Sequence, residues 1–146
     1  MEYKYLLYMN QNTEIVNKLR SSKLRPTKQR IKIAELLFNR PKTFHFTIED
    51  LNKNLNKKDN LENISLATIY NTIDAFKKAG HLKEILTNNN TSYFDTNISS
   101  HHHFYDDQTN ELTDINFNDV EVTKVPHAPK GKKIKDVEVI ISLQKQ

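Results

Sequence analysis

The chain has 146 residues and 17.2 kDa, with 22 Lys plus Arg against 18 Asp plus Glu, no Cys, no Trp and only two Gly. A mean hydropathy of −0.73 leaves no run of about 18 apolar residues that could cross a membrane, and zero cysteine excludes disulfides, zinc-thiolate sites, Fe–S clusters and thiol nucleophiles. Met1 to Asn12 lacks the basic flank, apolar centre and small-residue cleavage site of a signal peptide, so cytoplasmic residence is expected.

The total charge hides an asymmetry. Met1 to Leu86 carries 16 basic and 9 acidic residues, a net +7, whereas Thr87 to Gln146 carries 6 and 9, a net −3. A basic amino-terminal part suits an anionic partner, most often nucleic acid. Eighteen Lys against four Arg, with seventeen Asn, also bear the mark of an AT-rich genome.

In chain order, Thr13 is positioned to cap a short helix carrying Ile15, Val16 and Leu19. Pro26-Thr27 opens a second helix with Ile31, Ala34, Leu37 and Phe38 at helical spacing, and Pro41 stops it. Thr47 caps a third, with Ile48, Leu51 and Leu55 on one face, and the polar stretch Asn56 to Asn63 reads as a loop. Ser65 caps a fourth that runs to Gly80. The period then changes. Leu82 to Leu86 and Thr91 to Asp95 pair as a hairpin around Thr87-Asn88-Asn89-Asn90, since Asn tolerates positive φ. Helices followed by a hairpin predict a winged helix-turn-helix over residues 1–94. Residues 95–146 read as a small α/β dimerisation domain with strands at His101 to Asp107, Glu111 to Ile115, Glu121 to Val125 and Asp136 to Leu143. In the last of these, Val137, Val139, Ile141 and Leu143 alternate onto one face that so short a segment cannot bury alone, which predicts a homodimer or a higher oligomer. The class is α+β.

On a helical wheel Leu66, Ile69, Ile73 and Phe76 fall in one core-facing sector, with Asn71 nearly opposite, Ala67, Thr68, Ala75 and Lys78 beside it and Tyr70 on the flank. Short and amide-bearing residues near a helix start suit a recognition helix, because Asn bonds adenine at two points and Ala, Thr or Tyr meet the thymine methyl. An ordinary amphipathic helix with small surface residues has the same pattern. Further on, His101-His102-His103 lies on a predicted strand, which turns His101 and His103 to one face and His102 to the other. Two imidazoles at that spacing can close on one ion, although solvated or stacked histidines share the string.

Ser65-Leu66-Ala67-Thr68-Ile69-Tyr70-Asn71-Thr72-Ile73, preceded by Leu24-Arg25-Pro26-Thr27-Lys28-Gln29-Arg30, resembles the DNA-binding domain of the ferric uptake regulator family. The resemblance covers about Leu24 to Leu143 and implies that Arg25, Lys28, Ser65, Thr68, Tyr70 and Asn71 lie at or near double-stranded DNA. Many members carry Arg at the place of Asn71, and the Asn here resembles the peroxide-responsive and iron-response branches. The resemblance also implies five metal ligands: His45, Asp95, His101, His103 and Asp114. As a donor set, three His and two carboxylates suit Fe²⁺ or Mn²⁺ as well as Zn²⁺. A second set, His102, Glu121 and His127, is a candidate for a further metal or haem site.

The family's Cys-x-x-Cys pairs are missing, with Asp106 and Thr109 where the first would be, so no structural Cys₄ zinc is expected. The triple His, the absent cysteines and the segment Pro129 to Val139 resemble the iron response regulator branch, in which haem is the implied effector and His102 a candidate ligand. The function this implies is a metal-responsive, iron- or haem-linked transcriptional regulator that binds AT-rich near-palindromes as a dimer to control iron homeostasis genes, with repression the expected mode. Alternatives within the family are a peroxide-sensing or manganese-responsive repressor, and a metal-independent winged-helix regulator stands further off. An enzyme is not expected, because no additional general base, nucleophile or Gly-rich phosphate loop accompanies the ligands.

Overall fold

Capping chemistry sets the helices of the amino-terminal half. The structure, a computed structural model, describes residues 2–4, 12–58 and 62–146. Helix α1, Thr13–Ser21, starts on the residue expected to cap it: Asn12, one residue earlier, is its N-cap, and the Asn12 side chain makes no capping bond but donates to Glu35 Oε1 at 2.6 Å. Helix α2, Lys28–Phe38, begins where Thr27 accepts from the Arg30 N–H, and it ends three residues short of Pro41. Helix α3, Ile48–Leu55, has a full capping box, in which Thr47 and Asp50 satisfy each other's backbone N–H. Helix α4, Leu66–Lys78, starts on Ser65, whose Oγ accepts from the Thr68 N–H. Gly80, at φ +80°, then turns the chain out of the helix as only glycine does without strain. Of the polar stretch Asn56 to Asn63, residues 59–61 lie outside the described residues, as do residue 1 and residues 5–11 of the amino terminus.

Three strands complete this half. Strand β1, His45–Phe46, and strand β2, Lys83–Leu86, flank strand β3, Ser92–Asp95, in an antiparallel sheet of order β1-β3-β2. The expected hairpin is β2 and β3, with Asn90 at φ 60° in its turn. Ile31, Ile33, Leu37, Leu51, Ile69, Ile73 and Phe76 are buried in one core, where Phe76 meets Phe38 edge-on at 5.2 Å. Leu66 departs from its expected core face and is 48% exposed. It is the first residue of α4, with no preceding turn to hold it down, and Thr72 takes the buried place by donating its hydroxyl back to the Thr68 carbonyl at 2.7 Å.

The chain forms two compact units, Met1–Ile98 and Ser99–Gln146. The boundary read after residue 94 falls four residues early, because Asp95 ends β3 of the first unit's sheet. In the second unit, β4, His102–Asp106, pairs antiparallel with β5, Glu111–Ile115, and parallel with β6, Ile140–Leu143, giving the order β5-β4-β6. Its helical content is one short 3₁₀ turn, Phe117–Asp119. The expected strand at Glu121 to Val125 does not form. The parallel ladder opposite β4 covers only Ile140 to Leu143, so the expected strand from Asp136 is half its predicted length. Pro126 and Pro129 withhold two backbone donors from the intervening segment. Val137, Ile141 and Leu143 are each more than a third exposed. No helix of the described residues is long and apolar enough to cross a membrane.

Candidate metal centre and nucleic-acid face

On the first unit, Arg25, Lys28, Tyr70 and Asn71 are exposed and Thr68 is half-buried. Ser65 and Thr68 share a hydroxyl contact of 2.9 Å within the helix cap, so two residues expected at DNA also build the start of α4. Ala75, one helical turn after Asn71, is partly buried against the core. Sequence reasoning missed the residue that holds the turn before this helix. The Asn56 side chain grips the Ile64 backbone at both ends, donating to its carbonyl at 2.8 Å and accepting from its N–H at 2.7 Å. The other end of α4 is tied to the wing: Lys77 Nζ donates to Glu84 Oε2 at 2.7 Å and Ser92 Oγ to Glu84 Oε1 at 2.8 Å. The Lys77 bond holds the Glu84 carboxyl below its ordinary range, and Glu84 in turn raises Lys77. His81, at the turn into the wing, hydrogen-bonds Ser21 Oγ at 2.9 Å; burial first, then nearby Lys18, lowers its pKa.

The five expected ligands fall into two groups, one on each unit. In the first unit, two-residue β1 pairs with the end of β3 in a register that sets His45 opposite Asp95. His45 Nε2 lies 3.2 Å from Asp95 Oδ2, and Asp95, 1% exposed, uses its Oδ1 to accept the Asn97 N–H at 2.8 Å. A carboxylate buried this deeply needs a compensating positive or donating group.

In the second unit, the β4–β5 register sets Asp114 opposite His103, and His101, two residues back, turns to the same side. Both rings place Nε2 3.3 Å from Asp114 Oδ1, with ring centroids 4.5 Å apart. The far side of each ring is occupied. His101 Nδ1 lies 2.7 Å from the Ser99 carbonyl and His103 Nδ1 lies 2.7 Å from Glu138 Oε1. A carbonyl and a carboxylate only accept, so each Nδ1 carries a proton, which leaves each Nε2, in the ring's neutral form, as a lone pair toward Asp114. Two Nε2 atoms and a carboxylate oxygen at this range are held together by a proton on a ring nitrogen or by a metal cation among them. The donors are imidazole and carboxylate, a set suited to Fe²⁺, Mn²⁺ or Zn²⁺.

His102, in the same run, is arranged the opposite way. The Val139 N–H donates to His102 Nδ1 at 2.9 Å, so the neutral ring carries its proton on Nε2. The buried ring stacks on Phe117 and lines a cavity of about 430 Å³ shared with Glu121, Val120, Val125 and Val137. His127 is exposed and is not among that cavity's walls. Where the family's first Cys pair would be, Asp106 Oδ1 accepts the N–H groups of Gln108 and Thr109 at 2.9 and 3.2 Å and so closes the β4–β5 turn.

A helix-turn-helix with a wing, followed by a small sheet with a histidine and carboxylate cluster, defines a metal-responsive DNA-binding regulator. The profile of the ferric uptake regulator family matches residues 21–142. The peroxide-responsive repressor PerR of Staphylococcus epidermidis is 32% identical over 104 residues, 71% of this chain and 67% of that protein. The peroxide operon regulator of Bacillus subtilis is also 32% identical over 104 residues, 71% of this chain and 69% of that protein. Among solved structures, the ferric uptake regulator of Pseudomonas aeruginosa with manganese superposes with a TM-score of 0.66 at 22% identity, covering 90% of this chain and 98% of that one. The chain belongs to the ferric uptake regulator family of transcription regulators.

Proposed function

We propose that this protein is a dimeric repressor whose grip on AT-rich, near-palindromic DNA is set by one divalent ion, Fe²⁺ or Mn²⁺, held jointly by His45, Asp95, His101, His103 and Asp114. The observation that carries the reading is the convergence of the His101 and His103 Nε2 atoms on Asp114, with both Nδ1 atoms already committed. When bound, the ion supplies the positive charge that lets these donors share one point. His45 and Asp95 bring ligands from the DNA-reading unit, and the other three come from the second unit. Shared ligation fixes the angle between reading and dimerising units, and in a two-fold dimer that angle sets the spacing of two recognition helices against two major-groove sites. The exposed apolar face of Val137, Ile141 and Leu143 supplies the dimer contact. Arg25 and Lys28 address phosphate, while Tyr70 and Asn71 meet base edges, with Ser65 and Thr68 beside them. Access to the genome places the protein in the cytoplasm.

The test is fluorescence anisotropy of labelled AT-rich palindromic DNA with protein and Mn²⁺, then with chelator. Tightening of about tenfold or more by Mn²⁺, reversed by chelator, is expected. Binding indifferent to both contradicts the reading and leaves a metal-independent regulator.

A second reading, peroxide sensing at the same site, is favoured by the 32% identity to two peroxide-responsive repressors. Here one oxygen atom of hydrogen peroxide is carried onto the imidazole of His45 or His101 and the other leaves as water. Mass spectrometry after peroxide treatment of Fe²⁺-loaded protein should show one added oxygen on one of these two peptides, and none in the Mn²⁺-loaded protein. A haem-linked reading through His102, Glu121 and His127 has less support, since His102 Nε2 carries a proton and His127 stands outside the cavity. A Soret shift on haem addition that disappears in His102→Ala would restore it.

A further inference from the structure

We infer that Glu138 is a positioning residue for the metal centre: its carboxylate fixes the tautomer and ring orientation of His103, and so ties the carboxy-terminal strand to the metal-binding face. The inference rests on the reading that His103 is a ligand.

His103 is 1% exposed and its ring has two nitrogens to satisfy. Without a partner at Nδ1, a neutral imidazole can carry its proton on either nitrogen, and the form with Nε2–H presents a proton where the site requires a lone pair. Glu138 Oε1 lies 2.7 Å from His103 Nδ1, within the short range of a charge-assisted bond. Because a carboxylate only accepts, this contact selects the Nδ1–H form and aims Nε2 at Asp114, 3.3 Å away. Glu138 has no place among the five ligands and lies 35 residues beyond His103 in the chain.

The backbone around Glu138 makes the placement specific. The His103 N–H donates to the Val139 carbonyl at 3.1 Å, and the Val139 N–H donates to His102 Nδ1 at 2.9 Å. Strand β6 then continues parallel to β4, with Ile140 opposite His103. Glu138 and Val139 thus grip the two adjacent histidines on opposite faces of β4 and sort them chemically. His103 is held as a lone-pair donor toward the site, whereas His102 is held with its proton on Nε2, lining the cavity beside Phe117. A carboxylate behind a ligand histidine is a recurring support of metal sites, and its removal typically weakens metal binding by about 10- to 100-fold.

Two measurements on the full-length protein test this. Long-range ¹H–¹⁵N correlation spectra of the metal-free protein report each histidine's tautomer. Wild type should show His103 protonated at Nδ1, and Glu138→Ala should lose that preference. Mn²⁺ affinity, measured by competition with a chelator, should fall about 10- to 100-fold in Glu138→Ala. Glu138→Gln, which keeps an acceptor oxygen, should recover most of the loss. An unaltered His103 tautomer in Glu138→Ala, or Mn²⁺ affinity within about twofold of wild type, overturns the role of Glu138. If His103→Ala also binds Mn²⁺ as wild type does, the ligand set itself is wrong; if only His103→Ala loses binding, the ligand set stands and Glu138 alone is dismissed.

Discussion

The two units solve the problem of a small core in opposite ways. The first buries a continuous set of aliphatic and aromatic side chains from four helices and a wing, from Ile15 to Phe94. Among the described residues of the second, Tyr105 and Ile115 are the buried hydrophobics, and three histidines are buried beside them. Burying an imidazole contributes less than burying leucine and demands partners for two nitrogens. The second unit therefore places at its centre residues that suit an ion, and leaves Phe117, Ile134, Ile141 and Leu143 exposed. On the proposed function, the first unit reads DNA and needs a rigid surface, whereas the second senses an ion and needs stability that changes with it.

That contrast is easiest to break in the first unit. Phe76→Ala removes a fully buried ring and should cost about 3–5 kcal/mol, by urea denaturation, with or without Mn²⁺. In the second unit, Mn²⁺ at about 100 times its dissociation constant should add about 2.7 kcal/mol. Hydrogen exchange should show this as slower exchange of β4 and β5 amides on Mn²⁺ addition, with the α4 amides changing far less. Equal protection of both would erase the distinction between the units. Asn56→Ala strips both hydrogen bonds from the Ile64 backbone before the recognition helix. It should cost about 1–3 kcal/mol and weaken DNA binding without altering Mn²⁺ affinity. Ser65→Ala loses the α4 cap, about 1 kcal/mol by thermal melting.

The smallest expected effect is a pH dependence. The pKa of His81 is lowered on folding, chiefly by burial, so the folded state binds fewer protons than the unfolded one. Its neutral form is fully favourable above the ordinary value of 6.5, and stability declines as pH falls below it. Glu84, held low by Lys77, acts in the same direction further down: its contribution is present above 4.5 and is lost as pH falls through its folded value. His81→Asn should flatten the stability profile between pH 7 and 5 and leave the lower, Glu84-dependent limb in place.

Much of the first unit was legible because helix starts are local. Thr27, Thr47 and Ser65 lie beside the amides they cap, and the hairpin turn has its Asn residues in sequence. Asn12 was missed in favour of Thr13 because both are good capping types and only the tertiary bond to Glu35 tells them apart. The β-rich half was read less well. Glu121 to Val125 has the alternation of a strand, but a strand needs a neighbour, and none in this sheet is opposite it. Residue spacing gave a His-x-His face, and the other three ligands rested on family resemblance. Asn56 and Glu138 carry no local signal, since their partners lie 8 and 35 residues away and are met only on folding.

The central claim is that ligands on the reading unit and ligands on the sensing unit serve one ion. Its most direct measurement is Mn²⁺-dependent DNA anisotropy in the double variant His45→Ala, Asp95→Ala, beside Mn²⁺ affinity by competition with a chelator. The account predicts that this protein still binds Mn²⁺ weakly through His101, His103 and Asp114 but loses the roughly tenfold tightening on DNA. Full tightening by Mn²⁺ in the double variant would contradict it.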